Sequence, residues 1–344
     1  MPMPRSSLVS LDATPYYHVI SRCVRRQFLC GQDSLTGRDF SHRRDWIRKR
    51  IFKLRDIFAI EICAYAVMSN HFHLVVCVQQ DRALGWSDQE VARRWLALFG
   101  GNPLVRALVN GKGLSEVQES EPAAQIKKYR SRLSDLSWFM RCLNEPIARR
   151  ANTEDEVTGR FWEGRFKSQA LLNEAALIAA MAYADLNPVR AGMANLPEKS
   201  DYTSIQQRVL ERQQSVAENR GEAFEKPPEG LRTVMKKLMP FADELAGGSE
   251  RHIPYKAEDY LELVDWSGRA IAEGKRGKIP EGYPPILERL NINPGNYLRF
   301  IERNEEHRFH NFIGPAEKLR DLAIHFSKTF LKGQTAAAQL FSPT

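Results

Sequence analysis

Alternating and consecutive apolar positions predict three strands in the first eighty residues. Residues 16–24 are rich in β-branched and aromatic side chains, and residues 57–68 and 71–78 form two further apolar runs joined by a short polar connection. Between the first and second strand, apolar positions of residues 38–58 recur at helical spacing. The chain therefore begins with the order strand, helix, strand, strand.

Helical spacing returns after the third strand. It predicts a helix over residues 88–99 and a long helix over residues 124–151, which Pro146 is expected to bend or interrupt. The segment between them, about 100–124, is rich in glycine and asparagine at both ends and reads as an insertion.

A β-prone segment and a helix follow this long helical pattern. Residues 159–172 combine aromatic and basic side chains and are predicted to contain a strand. Asn173 is predicted to cap the next helix, which spans residues 174–186 and ends before Pro188. The helix is rich in alanine and apolar, so we expect it to be largely buried.

The second half of the chain shows helical patterns alone. Residues 197–230 are polar and predict a helix followed by a linker. Further helices are predicted over residues 231–245, 255–272, 284–290, 293–301 and 316–330.

These elements predict an α+β fold with a ferredoxin-like antiparallel sheet and helices, followed by a mostly α-helical C-terminal domain. We expect a first domain over residues 1–198, with the insertion at about 100–124, then a helix and linker over 199–230. A helical accessory domain is expected over 231–344, where helix–turn–helix reading of DNA and a packing role both stay open.

Composition favours a soluble, reduced protein. Of 344 residues, 43% are hydrophobic and 27% are charged, which is enough apolar material for a sizeable core. No apolar run approaches the roughly 18 residues of a membrane span, and the first residues lack the apolar core of an export signal. The five cysteines form no CxxC pair, so a cytoplasmic location is expected.

The positive charge of the chain is concentrated in its first half. The formal net charge is +8; residues 1–198 carry 28 Lys and Arg against 21 Asp and Glu, whereas residues 199–344 carry 22 against 21. A basic surface on the first domain favours a polyanionic partner.

Two histidines stand one residue apart at the start of the third strand. Because side chains alternate across a strand, His71 and His73 point to the same face. Two neighbouring imidazoles provide half of a divalent-metal site. The alternative is a strand with two surface histidines that bind no metal.

The segment 159–172 interleaves cations with aromatic rings, an arrangement that suits the phosphates and unstacked bases of single-stranded nucleic acid. The alternative is an ordinary amphipathic strand. The side chains concerned are Arg160, Arg165 and Lys167 among Phe161, Trp162 and Phe166.

Tyr183 and Asn187 stand four residues apart near the end of the buried helix, and therefore on one face. The tyrosine is a candidate nucleophile. The alternative is a buried tyrosine with a satisfied hydroxyl, followed by an asparagine that takes part only in ending the helix.

Three motifs in this order resemble one family. Residues 68–76 (MSNHFHLVV), 160–167 (RFWEGRFK) and 183–192 (YADLNPVRAG) are similar to the motifs of the REP-associated tyrosine transposases, relatives of the single-tyrosine transposases with a His-hydrophobic-His (HUH) motif. The resemblance covers about residues 14–196.

The resemblance implies roles for individual residues. His71 and His73 match the metal ligands, and Tyr183 matches the catalytic tyrosine. Asn187 occupies the place of a third polar metal ligand, where many relatives have glutamine. His18 and Arg22 match a first-strand pattern with a role in DNA binding or active-site support. The expected DNA-binding residues are Arg22, Arg160, Trp162, Arg165, Lys167 and His18.

The resemblance also implies a reaction. It is that of a metal-dependent endonuclease and strand transferase for single-stranded DNA, acting on hairpin-forming palindromic repeats through a 5′-phosphotyrosine intermediate. The implied cofactor is Mg²⁺ or Mn²⁺ and the implied partner is single-stranded or hairpin DNA, with no membrane partner. A homodimer in the bacterial cytoplasm is compatible with it. Two alternatives stay open: a hairpin-binding protein that no longer cuts, and an unrelated metal-dependent phosphohydrolase that uses water.

Overall fold

The computed structural model describes residues 9–24, 29–32, 37–101, 103–110, 116–245, 251–272, 282, 284–303 and 305–341. Its strands are β1 Tyr16–Arg22, β2 Ile60–Val67, β3 His71–Val78, β4 Lys167–Leu171 and β5 Phe312–Ile313. The helices between β1 and β4 are α1 His42–Ile57, α2 Gln80–Gly85, α3 Asp88–Leu96, α4 Pro103–Val109, α5 Glu116–Leu133 and α6 Leu136–Glu154. The later helices are α7 Glu174–Asp185, α8 Asn187–Arg190, α9 Ser204–Arg220, α10 Glu229–Arg232, α11 Ala257–Ala272, α12 Pro285–Arg289, α13 Pro294–Glu302, α14 Ala316–His325 and α15 Gln334–Leu340.

The chain forms two compact units. The first comprises residues 1–45, 62–76 and 162–344, and the second comprises residues 46–61 and 77–161. These units are defined by contacts within the folded chain. They do not test the domain boundaries expected from the sequence at residues 198 and 230, which stay a prediction.

One sheet of five strands runs in the order β2-β3-β1-β4-β5. The α+β fold class is confirmed, because this single sheet is accompanied by many helices. β1 and β4 pair antiparallel, and their register sets His18 opposite Gln169. The fifth strand was not expected: two residues from the second half of the chain, Phe312 and Ile313, pair parallel with the end of β4.

Helix α7 is the most deeply buried helix of the first unit. Every side chain from Ala175 to Asp185 is buried, as its apolar sequence predicts. The Asn173 side chain caps it by accepting a hydrogen bond from the Ala176 backbone N–H at 2.9 Å. Helices α11 and α13 and strand β4 pack around it. The helix therefore has no solvent-facing side.

The expected helix over 124–151 is two helices. Asp135 interrupts it, because its side chain accepts a hydrogen bond from the Trp138 N–H at 2.8 Å and begins α6. The expected interruption at Pro146 was wrong, since α6 continues through it. A proline cannot donate to the carbonyl four residues earlier. In the second unit the Arg50 Nε donates to that carbonyl, of Cys142, at 2.9 Å.

The helix expected over 231–245 was also wrong. Only α10 and a 3₁₀ turn at residues 242–244 form there. Between them Lys236 has a left-handed φ of 59°, and the Met239 N–H donates to the Ile62 carbonyl at 2.8 Å. This backbone bonds to the region of β2 instead of to itself, so tertiary contacts override the helical pattern.

The β-prone segment 159–172 is a strand only over its last residues, in β4. Before that, Trp162 forms an isolated bridge with Cys23, and the Glu163 N–H donates to the Arg22 carbonyl at 2.8 Å. Helices α2, α4, α8 and α15 were not predicted. No helix among the described residues is both long and apolar enough to span a membrane.

Gly268 lies in α11 where the helix meets the chain that follows α7. A Cβ at this position would lie 2.6 Å from the Pro197 Cγ and 3.5 Å from a Leu186 methyl. Both neighbours are held in place, since proline is a ring and Leu186 is fully buried. The close approach therefore requires glycine.

We expect Gly268→Ala to lower the free energy of unfolding by about 1–3 kcal/mol, because an added methyl overpacks this contact. Chemical denaturation measures the change. Gly85→Ala is the control, since a Cβ there meets nothing within 4 Å. Equal stability of the two variants would contradict the prediction.

Candidate functional site

A cavity of about 710 Å³ lies in the first unit beside β1, β3 and β4. It brings together residues that the sequence places more than a hundred positions apart. Its walls include His71 and His73 from β3, Tyr183 from α7, and four cationic side chains, Arg22, Arg165, Lys167 and Arg190. Glu163 adds one carboxylate to the same walls. The cavity is therefore predominantly cationic.

The two predicted metal-ligand histidines share a face of β3 as expected. Their ring centroids are 4.8 Å apart, with the ring planes at 74°. The Tyr183 ring meets His73 edge to face at 5.6 Å. The predicted nucleophile and the predicted ligand pair thus belong to one site.

The imidazoles of this site are uncharged at neutral pH. Burial, together with the nearby positive charges of Arg22 and Arg190, lowers the pKa of His71 to about 3. Burial also lowers the pKa of His73, well below its usual value, and that of His18 to about 4. A neutral imidazole keeps one nitrogen lone pair, which is the form that binds a metal.

His73 is hydrogen-bonded at both ring nitrogens. Its Nδ1 lies 2.9 Å from His18 Nε2, and its Nε2 lies 3.0 Å from Asn187 Nδ2. The far nitrogen of His18, Nδ1, lies 3.1 Å from the Gln169 Oε1. A row of polar side chains therefore fixes the plane of the His73 ring.

Asn187 lies between His73 and Arg190. The Arg190 Nη2 donates to Asn187 Oδ1 at 2.6 Å, so the amide oxygen faces the guanidinium and the amide nitrogen faces His73. In this orientation Asn187 does not present its oxygen beside His73. Its predicted role as a metal ligand requires the amide to turn over and the Arg190 bond to break.

Tyr183 is surrounded on several sides. Tyr183 is only 1% exposed to solvent. The Arg190 guanidinium carbon lies 4.6 Å from the centre of its ring, and the Phe300 ring centroid is 5.6 Å away. Arg190 also donates to the Ile301 carbonyl at 3.2 Å. Helix α13 thus forms part of the tyrosine's surroundings.

The predicted ligand pair lies together, with the His71 and His73 ring centroids 4.8 Å apart, while both His73 nitrogens are hydrogen-bonded to other side chains. Among the described residues, no group of three or more His, Cys, Asp or Glu side chains could hold a metal. Two neutral imidazole nitrogens suit Mn²⁺ or another transition metal better than Mg²⁺, which prefers oxygen. An ion held by this pair would take its remaining ligands from water or from a bound phosphate.

Four of the six residues predicted to bind DNA are exposed. Arg22, Arg165 and Lys167 are exposed and line the cavity. Arg160 is exposed and belongs to the second unit.

Two of the residues predicted to bind DNA, His18 and Trp162, are buried, and for His18 this agrees with the alternative expectation of active-site support. His18 is 1% exposed and contacts His73, so it supports the site from the interior of the protein. Trp162 is 9% exposed and packs edge to face on Phe72 at 5.7 Å. Neither side chain presents a surface to a nucleic acid in this structure.

Sequence reasoning missed several residues of the cavity. Arg190 follows Tyr183 by seven residues, a helical spacing that could have indicated it. Gln169 shares a strand face with Lys167, which is a second local signal. The cavity is also lined by His307, His310 and Asn311. The sequence shows His307 and His310 three residues apart, a spacing that favours a charged surface face over a metal site, and no local signal brings them to this cavity.

A buried carboxylate stands two residues after Tyr183. Asp185 is fully buried and accepts hydrogen bonds from the Ser204 hydroxyl at 2.5 Å, the Ile205 N–H at 2.9 Å and the Tyr260 hydroxyl at 2.5 Å. It therefore ties α7 to α9 and α11. Burial raises the pKa of Asp185 to about 6, although these donors and Arg208 oppose the rise.

We expect Asp185 to reduce stability as the pH rises from about 4 to about 6. The pKa is higher in the folded state than its value of 3.8 in a free chain, so the folded state binds more protons in this interval. The loss is roughly 3 kcal/mol and is complete above the folded pKa. Denaturation of the wild type and of Asp185→Asn at several pH values measures it.

The difference in unfolding free energy between the two proteins isolates Asp185, because all other groups titrate in both. Relative to Asp185→Asn, the wild type should become less stable across this interval. Stability curves that stay parallel from pH 4 to 7 would refute the assignment.

Comparisons with known proteins add little information about function to the geometry of the site. No protein-family model matches the chain, and no curated protein matches it significantly. Among solved structures, the chain matches a REP-associated tyrosine transposase bound to a REP hairpin with 13% sequence identity and a TM-score of 0.34. The match covers 57% of this chain and 79% of that one. Likeness of this degree carries no argument about function.

Proposed function

We propose that this protein cuts and rejoins single-stranded DNA at hairpin-forming repeats, with Tyr183 as nucleophile, as the transposases that its motifs resemble do. One observation carries the proposal: a single cation-rich cavity contains His71, His73 and Tyr183. A homodimer, a location in the bacterial cytoplasm, and Mg²⁺ or Mn²⁺ as the metal are further parts of the proposal.

The proposed reaction is a transesterification. The Tyr183 hydroxyl oxygen attacks the scissile phosphorus, and the bond from phosphorus to the DNA 3′-oxygen breaks. The phenolic proton is lost to solvent, and the leaving 3′-oxygen gains one. The products are a 5′-phosphotyrosine ester and a free 3′-hydroxyl. A second 3′-hydroxyl can attack this ester and rejoin the strands, because the ester retains the energy of the broken bond.

Two sets of side chains divide the work. Arg22, Arg165, Lys167 and Arg190 attract the phosphates and orient the strand in the cavity. His71 and His73 would hold the metal through their unprotonated nitrogens. When bound, Mg²⁺ or Mn²⁺ would stabilise negative charge that develops on the scissile phosphate.

A second candidate is a hairpin-binding protein that no longer cuts. Two observations favour it: Tyr183 is only 1% exposed, and the Asn187 amide nitrogen faces the His73 nitrogen that a metal would need. In that case the cationic walls would bind DNA, while α7 would serve packing alone. Formation of a covalent adduct separates the two candidates.

We expect wild-type protein incubated with a labelled single-stranded hairpin and Mn²⁺ to form an adduct that survives denaturing electrophoresis. Tyr183→Phe should lower adduct formation by ~10³-fold or more, because it removes the attacking oxygen. Tyr297→Phe is the matched control, since Tyr297 is equally buried in the same unit but lies outside the cavity. Hairpin binding without any adduct favours the second candidate. Cleavage that persists in Tyr183→Phe favours a water-using phosphohydrolase.

We expect His71→Ala to reduce adduct formation by at least ~10²-fold, because one of two metal ligands is lost. Hairpin affinity should change by less than about threefold, since phosphate contacts supply most of it. A gel-shift titration and the adduct assay measure the two effects separately. Full adduct formation in His71→Ala would remove the basis for the metal site.

A further inference from the structure

We propose that Gln169 is a positioning residue which, anchored by the backbone carbonyl of His310, holds His73 with its proton on Nδ1 and its lone pair on Nε2. The inference deepens the proposed function and rests on it only where it takes His73 as a metal ligand. It assigns a role in the site to a segment near the end of the chain that the sequence motifs do not include.

The anchor fixes which way the Gln169 amide points. Its Nε2 lies 2.8 Å from the His310 carbonyl oxygen, and a carbonyl can only accept a hydrogen bond. The nitrogen of the amide must therefore face His310, and the Oε1 must face His18. Gln169 is 6% exposed, so water does not replace either contact freely.

The amide oxygen then fixes the proton of His18. Gln169 Oε1 only accepts, and it lies 3.1 Å from His18 Nδ1, so this nitrogen carries the proton. A neutral imidazole has one N–H, which leaves a lone pair on His18 Nε2. The opposite tautomer would turn a lone pair toward the amide oxygen, with both groups buried and unsatisfied.

The same logic continues to His73. The His73 Nδ1 lies 2.9 Å from His18 Nε2. Because His18 Nε2 carries a lone pair, the His73 Nδ1 must be the donor of this hydrogen bond. The His73 Nε2 is then unprotonated. Asn187 agrees independently, because its amide nitrogen, a donor, lies 3.0 Å from that atom. The lone pair thus faces Asn187, where the predicted third ligand stands.

The position of the anchoring carbonyl is set by the sheet. The residue after His310, Asn311, accepts a hydrogen bond from the Ala170 N–H at 2.8 Å, and β5 follows directly. His310 itself has a left-handed φ of 57°, which few non-glycine residues adopt. This backbone conformation and the β4–β5 pairing bring the carbonyl to the Gln169 side chain.

The test is a nitrogen NMR measurement on the metal-free, full-length protein. With ¹⁵N-labelled histidine, protonated and unprotonated ring nitrogens give separate resonances, and His73 is identified by the signals that His73→Asn lacks. We expect a protonated Nδ1 and an unprotonated Nε2 in the wild type. Because Asn187 also donates to His73 Nε2, the effect of Gln169 is measured in an Asn187→Ala background. There Gln169→Leu should mix the two tautomers of His73 and weaken Mn²⁺ binding, measured by electron paramagnetic resonance, about 10- to 100-fold.

Two variants distinguish positioning from general destabilisation. His310→Gly removes the imidazole but keeps the carbonyl and suits the left-handed backbone, so the tautomer should not change. Gln207→Leu removes another buried glutamine of the same unit, far along the chain in α9, and should leave the His73 signals unaltered.

A proton on Nε2 of His73 in the wild type would overturn the inference, and so would an unchanged tautomer and Mn²⁺ affinity when Gln169→Leu is added to the Asn187→Ala background. These outcomes are separable from failure of the proposed function. A wild type with the expected tautomer and no covalent DNA adduct would refute the nuclease and leave the positioning role of Gln169 standing.

Discussion

The burial of helix α7 from Ala175 to Asp185 is the constraint on which the site depends. An all-round buried helix must satisfy each of its polar side chains inside the protein, because an unpaired buried polar group costs free energy. Asp185 does so with donors from α9 and α11, while Tyr183 lies among the imidazoles and Arg190. The two sets of contacts involve different neighbouring elements. Together they fix the rotation of the helix about its axis and its position along that axis. The tyrosine is positioned by the same requirement that keeps the carboxylate paired.

The site separates positive charge from nitrogen lone pairs. Burial and the nearby arginines both lower the pKa of His71 and His73, so protonation of the imidazoles is disfavoured from two directions. The positive charge of the cavity therefore lies on its guanidinium and ammonium groups and not on the imidazoles. The imidazoles remain neutral, as ligands of a metal must be.

Local patterns predicted the parts of the fold and of the site that depend on nearby residues. The strand period placed His71 and His73 on one face, and helical spacing with the Asn173 cap placed Tyr183 and Asn187. The path of residues 231–245 and the pairing of β5 depend on contacts with residues far away in sequence, so no local pattern could indicate them. The burial of His18 and Trp162 belongs to the same class, since a strand period gives the face of a side chain but not what covers that face. The link from Gln169 to the His310 carbonyl is beyond sequence reasoning for the same reason.

The proline inside α6 has a consequence for how the chain tolerates change. The Arg50 guanidinium occupies the place of the N–H that Pro146 lacks, so one residue is needed because of the other. With alanine at position 146 the helix would satisfy the Cys142 carbonyl by itself, and the arginine would become dispensable there. The effect of losing Arg50 is thus conditional on a residue ninety-six positions away. We therefore expect substitutions at positions 50 and 146 to be non-additive, because loss of Arg50 removes the donor to the Cys142 carbonyl only while proline stands at position 146.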